Sequence, residues 1–381
     1  MPSVADCLRQ HAPGYLQQFG ESVPAGHRKV IDLITGCRTG ALGGVHYRCD
    51  SCGREHWVGR SCGNRHCPNC QKEQTYAWLA KQTDRLLPVH YFLVTFTVPQ
   101  ELRFVLRGSQ AEGYRALFDA AAQSIRDVGS ATRSLIGCQL GFFGVLHTWG
   151  RDPLVYHPHV HFVIPGGGVN VDENGKGVRW QSTPENFLFH HRTLIDVYQA
   201  KLADRLRGCG LYDQVPAEGW TKKFVVDIQP VGNGRAVLKY LAPYVHRVAI
   251  SDRRIVDSDA SSVTYLYKPT KSNLFRTRRV EGGEFVRGFV QHTLPPGFQK
   301  IRHYGWMSAN CRVSLDEVKW LVWLFLGWTY WLASGYAPQD SPLPKPQVRC
   351  AACGGKMRVV GIICQLVGAL SEHAPAYLDS G

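Results

Sequence analysis

Long apolar runs are missing from this sequence. The most apolar stretch, residues 320–333, is shorter than the roughly 18 to 20 residues that a membrane-spanning helix needs. We therefore interpret it as a buried helix, with Ser314 and Glu317 ahead of it as a capping box. The first residues also lack the charged start, apolar segment and cleavage site of a secretion signal. We expect no membrane partner and a cytoplasmic location.

Acidic residues are also scarce. The chain has 44 lysines and arginines against 30 aspartates and glutamates, which gives a net charge of +14, and 11% of its residues are aromatic. A basic chain rich in aromatic side chains favours a polyanionic partner, nucleic acid before membrane. No internal repeat is evident, and 381 residues are enough for two or three domains.

Cysteine is plentiful, and in a cytoplasmic chain it indicates metal ligation rather than disulfides. Two C-x-x-C pairs lie close to the spacing of a zinc ribbon: Cys49 with Cys52, and Cys67 with Cys70. Four thiolates from two such turns satisfy tetrahedral zinc, so we expect one structural site here. Cys62 and His66 are candidates to replace one of the four ligands or to form a second site.

Three histidines stand at alternate positions in "YHPHVHFVIPGGG": His157, His159 and His161. Because side chains alternate along a strand, all three would share one face, while Val160 and Phe162 would point to a core. Such a row of imidazoles is either a metal site or a polar sheet surface. The glycines after it suit a turn or a close backbone approach.

A further histidine lies in the preceding strand-like segment, "CQLGFFGVLHTWG", which reads as the first half of a hairpin. If Val145 pairs with His161, then His147 falls opposite His159 on the same face. His147 and His157 therefore compete to be the third ligand beside His159 and His161, and we favour His147.

Two tyrosines stand one helical turn apart within residues 233–255, "NGRAVLKYLAPYVHRVAISDRRI". Helical spacing places Tyr240 and Tyr244 on one face, although Pro243 between them should kink the helix. Core packing is the alternative interpretation. The basic residues nearby favour a phosphate site, since a phenol with a pKa near ~10 needs positive charge to act as a nucleophile.

The ordered motifs together resemble a known family, the rolling-circle insertion-sequence transposases, which are the two-tyrosine branch of the HUH single-strand endonucleases. The motifs are "SCGNRHCPNCQ", "FLVTFTVP", "HPHVHFVIPGGG", "YLAPYVHRVAISDRRI" and "FQKIRHYGWMSAN", within roughly residues 49–353. The resemblance matches His159 and His161 with the HUH histidines, and Tyr240 and Tyr244 with the nucleophiles.

The resemblance implies an α+β fold, in which helices flank a central antiparallel sheet that carries the HUH strand. Strands at residues 91–98 and 223–230 and helices near 110–128 and 186–206 suit that layer. It also implies metal-dependent transesterification: a tyrosine attacks single-stranded DNA and forms a 5′-phosphotyrosine, without a nucleotide cofactor. We expect Mg or Mn at the histidines and structural Zn at the cysteines. Hairpin-bearing element ends in a bacterial cytoplasm would be the substrate, and the oligomeric state stays open.

Basic side chains are predicted to contact DNA phosphates, and aromatic residues alternate with them in residues 284–306. These predicted contacts are Arg65, Lys239, Arg247, Arg253, Arg254 and Arg302.

Composition suggests three domains: residues 1–90 for zinc and DNA binding, 91–310 for HUH catalysis, and 311–381 as a C-terminal helical region. Cys350 and Cys353 would form a second zinc knuckle there, but no partner pair is apparent. Two alternative functions are an HUH replication initiator or relaxase, and a non-catalytic zinc-ribbon DNA-binding protein.

Overall fold

The structure is a computed structural model that describes residues 1–233, 238, 249–270, 272–329 and 348–363. Its helices are α1 (Val4–Phe19), α2 (Ala25–Thr35), α3 (Gln71–Thr83), α4 (Gln100–Gly108), α5 (Gln110–Ala131), α6 (His191–Gly208), α7 (Ala217–Thr221), α8 (Gly282–Val290) and α9 (Leu315–Leu326). Its strands are β1 (Gly44–Cys49), β2 (Glu55–Gly59), β3 (His90–Thr97), β4 (Cys138–Gln139), β5 (Gly141–Trp149), β6 (Tyr156–Pro165), β7 (Gly167–Val171), β8 (Gly177–Ser182), β9 (Val226–Asn233), β10 (Ile255–Ser258), β11 (Ser262–Tyr267), β12 (Arg276–Glu281), β13 (Ile301–Gly305) and β14 (Met357–Ile363).

The chain divides into two compact units. The first comprises Met1–Gln74, His246–Thr293 and Ala337–Gly381, and the second comprises Thr75–Val245 and Leu294–Tyr336. This division differs from the three consecutive segments expected from composition. The difference arises because strands far apart in the chain pair with each other: β14 pairs with β1, and β13 pairs with β5.

The second unit contains the predicted central sheet. Its five strands are antiparallel in the order β13-β5-β6-β3-β9. This confirms the α+β class and the strands expected at residues 91–98 and 223–230. The helix expected near 110–128 is α5, and the one expected near 186–206 begins later, at His191.

Both faces of the central sheet are covered. On one face, Val160, Phe162 and Ile164 of β6 are fully buried in a cluster that also contains residues of α5 and α6. On the other face, Val163 of β6 packs in a second cluster that includes Trp306. The alternation predicted for β6 is confirmed. Val163 lies on the same face of the strand as His161, where the second cluster buries it.

The glycine run after β6 allows close backbone approach. A side chain at Gly166 would collide with the His90 ring, one at Gly167 with Trp180, and one at Gly168 with Cys138. Backbone approach of this kind is one of the two roles that the sequence suggests for these glycines.

The first unit holds two three-stranded sheets, β14-β1-β2 and β10-β11-β12. The capping box of Ser3 and Asp6 begins α1, which packs against α2 and α8. At the end of the segment 233–255, Asp252–Arg254 form a 3₁₀ turn and Ile255 starts β10.

The apolar segment at residues 320–333 begins inside α9, and its predicted burial is wrong for one face. Trp320, Leu324 and Phe325 are 52–55% exposed, whereas Leu321 and Val322 are buried. Ser314 caps the helix by accepting from the Glu317 N–H. The Glu317 carboxylate accepts from the Gly177 N–H instead of closing a capping box. No helix in the described part of the chain is long and apolar enough to cross a membrane.

Gly305 at the end of β13 has a left-handed backbone, with φ 56°, and a side chain there would lie 1.6 Å from the Leu140 carbonyl oxygen. We expect Gly305→Ala to lower the free energy of unfolding of the second unit by at least about 1–3 kcal/mol from backbone strain. Urea unfolding followed by tryptophan fluorescence measures this. Gly208→Ala is the control, because open space surrounds that position. Equal unfolding midpoints for the two variants would contradict the expectation.

Candidate functional site

Three histidines meet on adjacent strands of the central sheet. His147 on β5 and His159 and His161 on β6 each bring one ring nitrogen to within 4.8 Å of the others. Val145 lies opposite His161 and His147 opposite His159, which confirms the predicted register. The ring centroids are 4.6 Å apart for His147 and His161, 4.7 Å for His159 and His161, and 5.3 Å for His147 and His159.

Hydrogen bonds fix the orientation of two of these rings. His159 Nδ1 lies 2.7 Å from the His157 carbonyl oxygen, which can only accept, so Nδ1 carries the proton and Nε2 keeps a lone pair. His161 Nδ1 lies 2.8 Å from the hydroxyl of Thr95, the residue opposite it on β3. Partners of this kind on the outer ring nitrogen are typical of histidines that ligate metals.

Burial keeps the imidazoles neutral. It lowers the pKa of His159 to about 4, although the bond to the His157 carbonyl opposes the shift. Burial and the neighbouring His159 lower the pKa of His161 well below its usual value. Neutral imidazoles at physiological pH offer lone pairs to a cation without first losing protons.

His157 does not join the group. The register of β5 and β6 shifts between His147 and Trp149, so His157 lies beyond the irregularity. Its backbone carbonyl accepts from His159 Nδ1 and its ring lies 5.2 Å from the His159 ring centroid, but its nitrogens are not in the group. Of the two candidates for third ligand, the structure brings His147 to the site.

The donor set fits a divalent transition metal. It consists of three imidazole nitrogens, and no carboxylate of the described residues joins them. Imidazole suits Mn or Zn better than Mg, which prefers oxygen ligands. Three protein ligands also leave coordination positions for other oxygens, as catalytic sites do.

One cation lies close to this group and was not singled out by the sequence. Arg103 on α4 is partly buried, and its charge contributes to the lowered pKa of both His157 and His159. Among the described residues, no hydrogen-bond partner reaches its buried Nε. The histidine group therefore has positive charge beside it.

Thr95→Val should weaken metal binding, because it removes the hydrogen bond to His161 and keeps the shape of the side chain. We expect the affinity for Mn²⁺ to fall about 10–100-fold, with little change in thermal stability. Isothermal titration calorimetry measures the affinity. Thr97→Val on the same strand is the control, since that hydroxyl donates to the Val225 carbonyl. An unchanged affinity in Thr95→Val would show that the ring needs no such support.

The predicted nucleophiles lie outside the described residues. This applies to Tyr240, Tyr244 and the intervening Pro243, and also to the predicted DNA contacts Lys239 and Arg247. Their roles stay predictions.

The predicted single zinc site is corrected to two groups of cysteines. In the first group, Cys67 and Cys70 lie with Cys62 and Cys37, their ligand atoms within 4.8 Å of one another. The Sγ atoms of Cys37 and Cys62 each lie 3.6 Å from that of Cys70. Tetrahedral zinc with bonds of ~2.3 Å separates its sulfurs by about 3.8 Å, so this group fits zinc. His66 is not among its four members.

Cys49 and Cys52 belong to the second group, with Cys350 and Cys353. The C-terminal pair, which seemed to lack a partner, thus meets the first C-x-x-C pair of the chain. The two pairs that the spacing rule combined do not share a site.

The remaining predicted DNA contacts differ in their surroundings. Arg65 and Arg253 are exposed, and the Arg254 guanidinium lies 5.5 Å from the Phe275 ring centroid. Arg302 lies 4.4 Å from the Phe118 ring centroid and 3.4 Å from an Asp119 carboxylate oxygen. These intramolecular contacts give Arg302 a structural role, and its contact with DNA stays a prediction.

Sequence reasoning missed three contributors for different reasons. Cys37 is a lone cysteine twelve positions before Cys49, which no spacing rule connects to the pair it joins. No motif or spacing pattern in the sequence marks Arg103 as part of a site. The sequence does mark Thr95 and Thr97, because these two polar residues stand at alternate positions near the end of the mostly apolar strand β3 and so share one face.

Comparison with known proteins identifies the class. A family model described as "Putative transposase" matches residues 141–314, which contain the three histidines. A second, described as "Transposase zinc-binding domain", matches residues 7–98, which contain the first cysteine group. Together these matches define a transposase with a zinc-binding domain.

Two curated relatives extend the likeness over most of the chain. The putative transposase y4qJ of Sinorhizobium fredii is 33% identical and covers 82% of this chain and 81% of its own. The transposase for insertion sequence element IS801 of Pseudomonas savastanoi pv. phaseolicola is 27% identical, over 91% and 87%. The chain belongs to the rolling-circle insertion-sequence transposases of the IS91 type, which confirms the resemblance of the motifs. No solved structure matches it.

Proposed function

We propose that this transposase nicks single-stranded DNA by tyrosine attack and transfers the cut strand during rolling-circle transposition. The phenolate oxygen of Tyr240 or Tyr244 attacks the scissile phosphorus, and the bond to the 3′ oxygen breaks. The products are a 5′-phosphotyrosine and a free 3′-hydroxyl, so the phosphodiester energy is kept in the adduct. A second tyrosine allows one strand end to be held while another strand is cut.

The convergence of His147, His159 and His161 is the observation that supports this proposal best. Their nitrogens are close together, His147 and His159 are buried, and two of the rings are held by hydrogen bonds. A bound Mg²⁺ or Mn²⁺ would supply Lewis-acid neutralisation of phosphate charge. The donor set favours Mn²⁺ of these two.

Arg103, which lies near the histidines, would contribute to substrate binding. Arg103 carries a positive charge beside His157 and His159, which suits the approach of a phosphodiester. A positive environment also lowers the cost of forming a phenolate from a group whose pKa is ordinarily ~10.

The double variant Tyr240→Phe with Tyr244→Phe tests the proposal. We expect the wild-type protein, incubated with labelled single-stranded DNA from an element end and Mn²⁺, to give a slowly migrating covalent species on a denaturing gel. The double variant should give none, because phenylalanine has no oxygen to attack phosphorus. Tyr212→Phe is the matched control, since that ring is held by stacking on Trp220.

Each other outcome decides against part of the proposal. An adduct that persists in the double variant would overturn the assignment of the nucleophiles. Binding of DNA by the wild-type protein without any adduct would favour a non-catalytic DNA-binding protein. Cutting confined to a replication origin, rather than to element ends, would favour a replication initiator.

A further inference from the structure

The two C-x-x-C turns of the second cysteine group have the same backbone conformation. In each turn, the N–H of the first cysteine donates to the carbonyl five residues later, and a left-handed glycine donates back to that cysteine's carbonyl. The distances are 2.9 Å for Cys49 to Arg54 and 3.0 Å for Gly53 to Cys49, against 2.9 Å for Cys350 to Gly355 and 2.8 Å for Gly354 to Cys350. The glycine φ angles are 70° and 69°. Two equal turns imply one shared role.

The turns face each other at sulfur–sulfur distances that suit a metal. Cys49 Sγ lies 3.5 Å from Cys353 Sγ, and Cys52 Sγ lies 3.8 Å from Cys350 Sγ. These values lie at or just below the separation of about 3.8 Å that tetrahedral zinc imposes on its sulfurs, and they exceed the ~2.05 Å of a disulfide bond. The arrangement is therefore that of four metal ligands.

The backbone around the turns is built for this approach. A side chain at Gly355 would lie 2.5 Å from Ser51 Oγ and 3.1 Å from Cys49 Sγ, so glycine lets the two turns meet. Strand β14 follows the second turn and pairs with β1, placing Met357 opposite Cys49. The Asp50 backbone N–H also donates a hydrogen bond to the Lys356 carbonyl. Two hairpins that carry cysteine turns and share a three-stranded sheet have the architecture of a zinc ribbon.

We propose that Cys49, Cys52, Cys350 and Cys353 bind a second zinc ion, which completes a zinc ribbon assembled from two distant parts of the chain. The zinc-binding family match ends at residue 98, so it does not include the C-terminal pair. Cys52 and Cys350 are 298 positions apart, and a metal that closes a loop of this length restricts the unfolded chain strongly. The fold of the β14-β1-β2 sheet would therefore depend on both segments.

Zinc content of the whole protein tests this directly. We expect elemental analysis of the purified chain, with His147→Ala to remove the histidine group as a competing zinc site, to give two zinc ions, one for each cysteine group. X-ray absorption at the zinc edge should show sulfur ligands alone. Cys350→Ser with Cys353→Ser should lower the content from two ions to one, as should removal of residues 348–381. Cys209→Ser, an exposed cysteine outside both groups, should leave it at two.

The measurements on the chain with all eight clustered cysteines stand even if a cysteine variant fails to fold. One zinc per chain, or nitrogen ligands that replace sulfur at half of the bound zinc, would overturn the proposal. So would two zinc ions in the folded Cys350→Ser, Cys353→Ser protein. Alkylation of the denatured wild-type chain without reductant adds a further test, since a disulfide between Cys49 and Cys353 would leave both thiols unmodified and exclude a four-thiolate site.

Discussion

His159→Ala is expected to lower the rate of DNA cleavage about a thousandfold, whereas His157→Gln should keep most of it. Loss of one of three metal ligands removes several kcal/mol of charge stabilisation, and ~4 kcal/mol corresponds to about three powers of ten in rate. His157→Gln keeps the backbone carbonyl to which His159 donates. The two substitutions therefore test which imidazole of β6 ligates the metal, because the hydrogen bond that orients His159 is present in His157→Gln.

Single-turnover cleavage of labelled DNA, at saturating and limiting Mn²⁺, measures both variants. Thermal unfolding of each protein serves as the control for folding, because His159 is buried. His147→Ala should resemble His159→Ala. If His157→Gln were instead the variant that lost activity, with His147→Ala nearly unaffected, the choice of third ligand would be wrong.

Cys67→Ser is expected to unfold the segment around the first cysteine group. Structural zinc in small domains contributes roughly 10 kcal/mol or more of apparent binding free energy, which exceeds the stability of most domains. Cys67 is almost fully buried, and its Sγ lies 3.7 Å from that of Cys37. Without the metal, little else holds the four sulfurs together.

Hydrogen exchange monitored by mass spectrometry locates the effect. Amide protons near Cys37 and of residues 60–70 should lose protection in Cys67→Ser. Those of β1 and β2, which lie next to the second cysteine group, should lose it only when a zinc chelator removes both metals. Those of the central sheet strands β3, β5 and β6 should keep it, and Cys209→Ser should match the wild type. Retained protection of residues 37–70 in the metal-free protein would show that packing alone folds this segment.

The histidine site could be predicted from the sequence because strand geometry is strict. Side chains alternate with period two, so the positions of His159 and His161 define a face as soon as the segment is a strand. One assumed pair, Val145 with His161, then brings His147 to that face. What alternation could not show is the irregularity between His147 and Trp149, which removes His157 from the group.

The grouping of the cysteines could not be predicted from spacing. A C-x-x-C turn indicates a pair of ligands, but tertiary topology decides which two pairs meet. Cys49 and Cys52 lie next to Cys350 and Cys353 because β1 pairs with β14, and that pairing joins strands about three hundred residues apart. Cys37 joins the other group from a position with no cysteine turn at all.

The apolar segment of α9 shows a related limit. Its composition suggests burial on all sides, yet the described helix buries only one stripe and exposes Trp320, Leu324 and Phe325. Overall hydrophobicity does not specify which face has a partner.

We propose that a phenol of this chain attacks DNA with the help of a cation held by three histidines. Mass spectrometry of the covalent adduct, after digestion of protein and DNA, identifies the attacking residue. We predict a phosphorylated nucleotide on Tyr240 or Tyr244, formed with Mn²⁺ and absent in His161→Ala. An adduct on any other residue, or one formed equally well in the presence of a metal chelator, would contradict the claim.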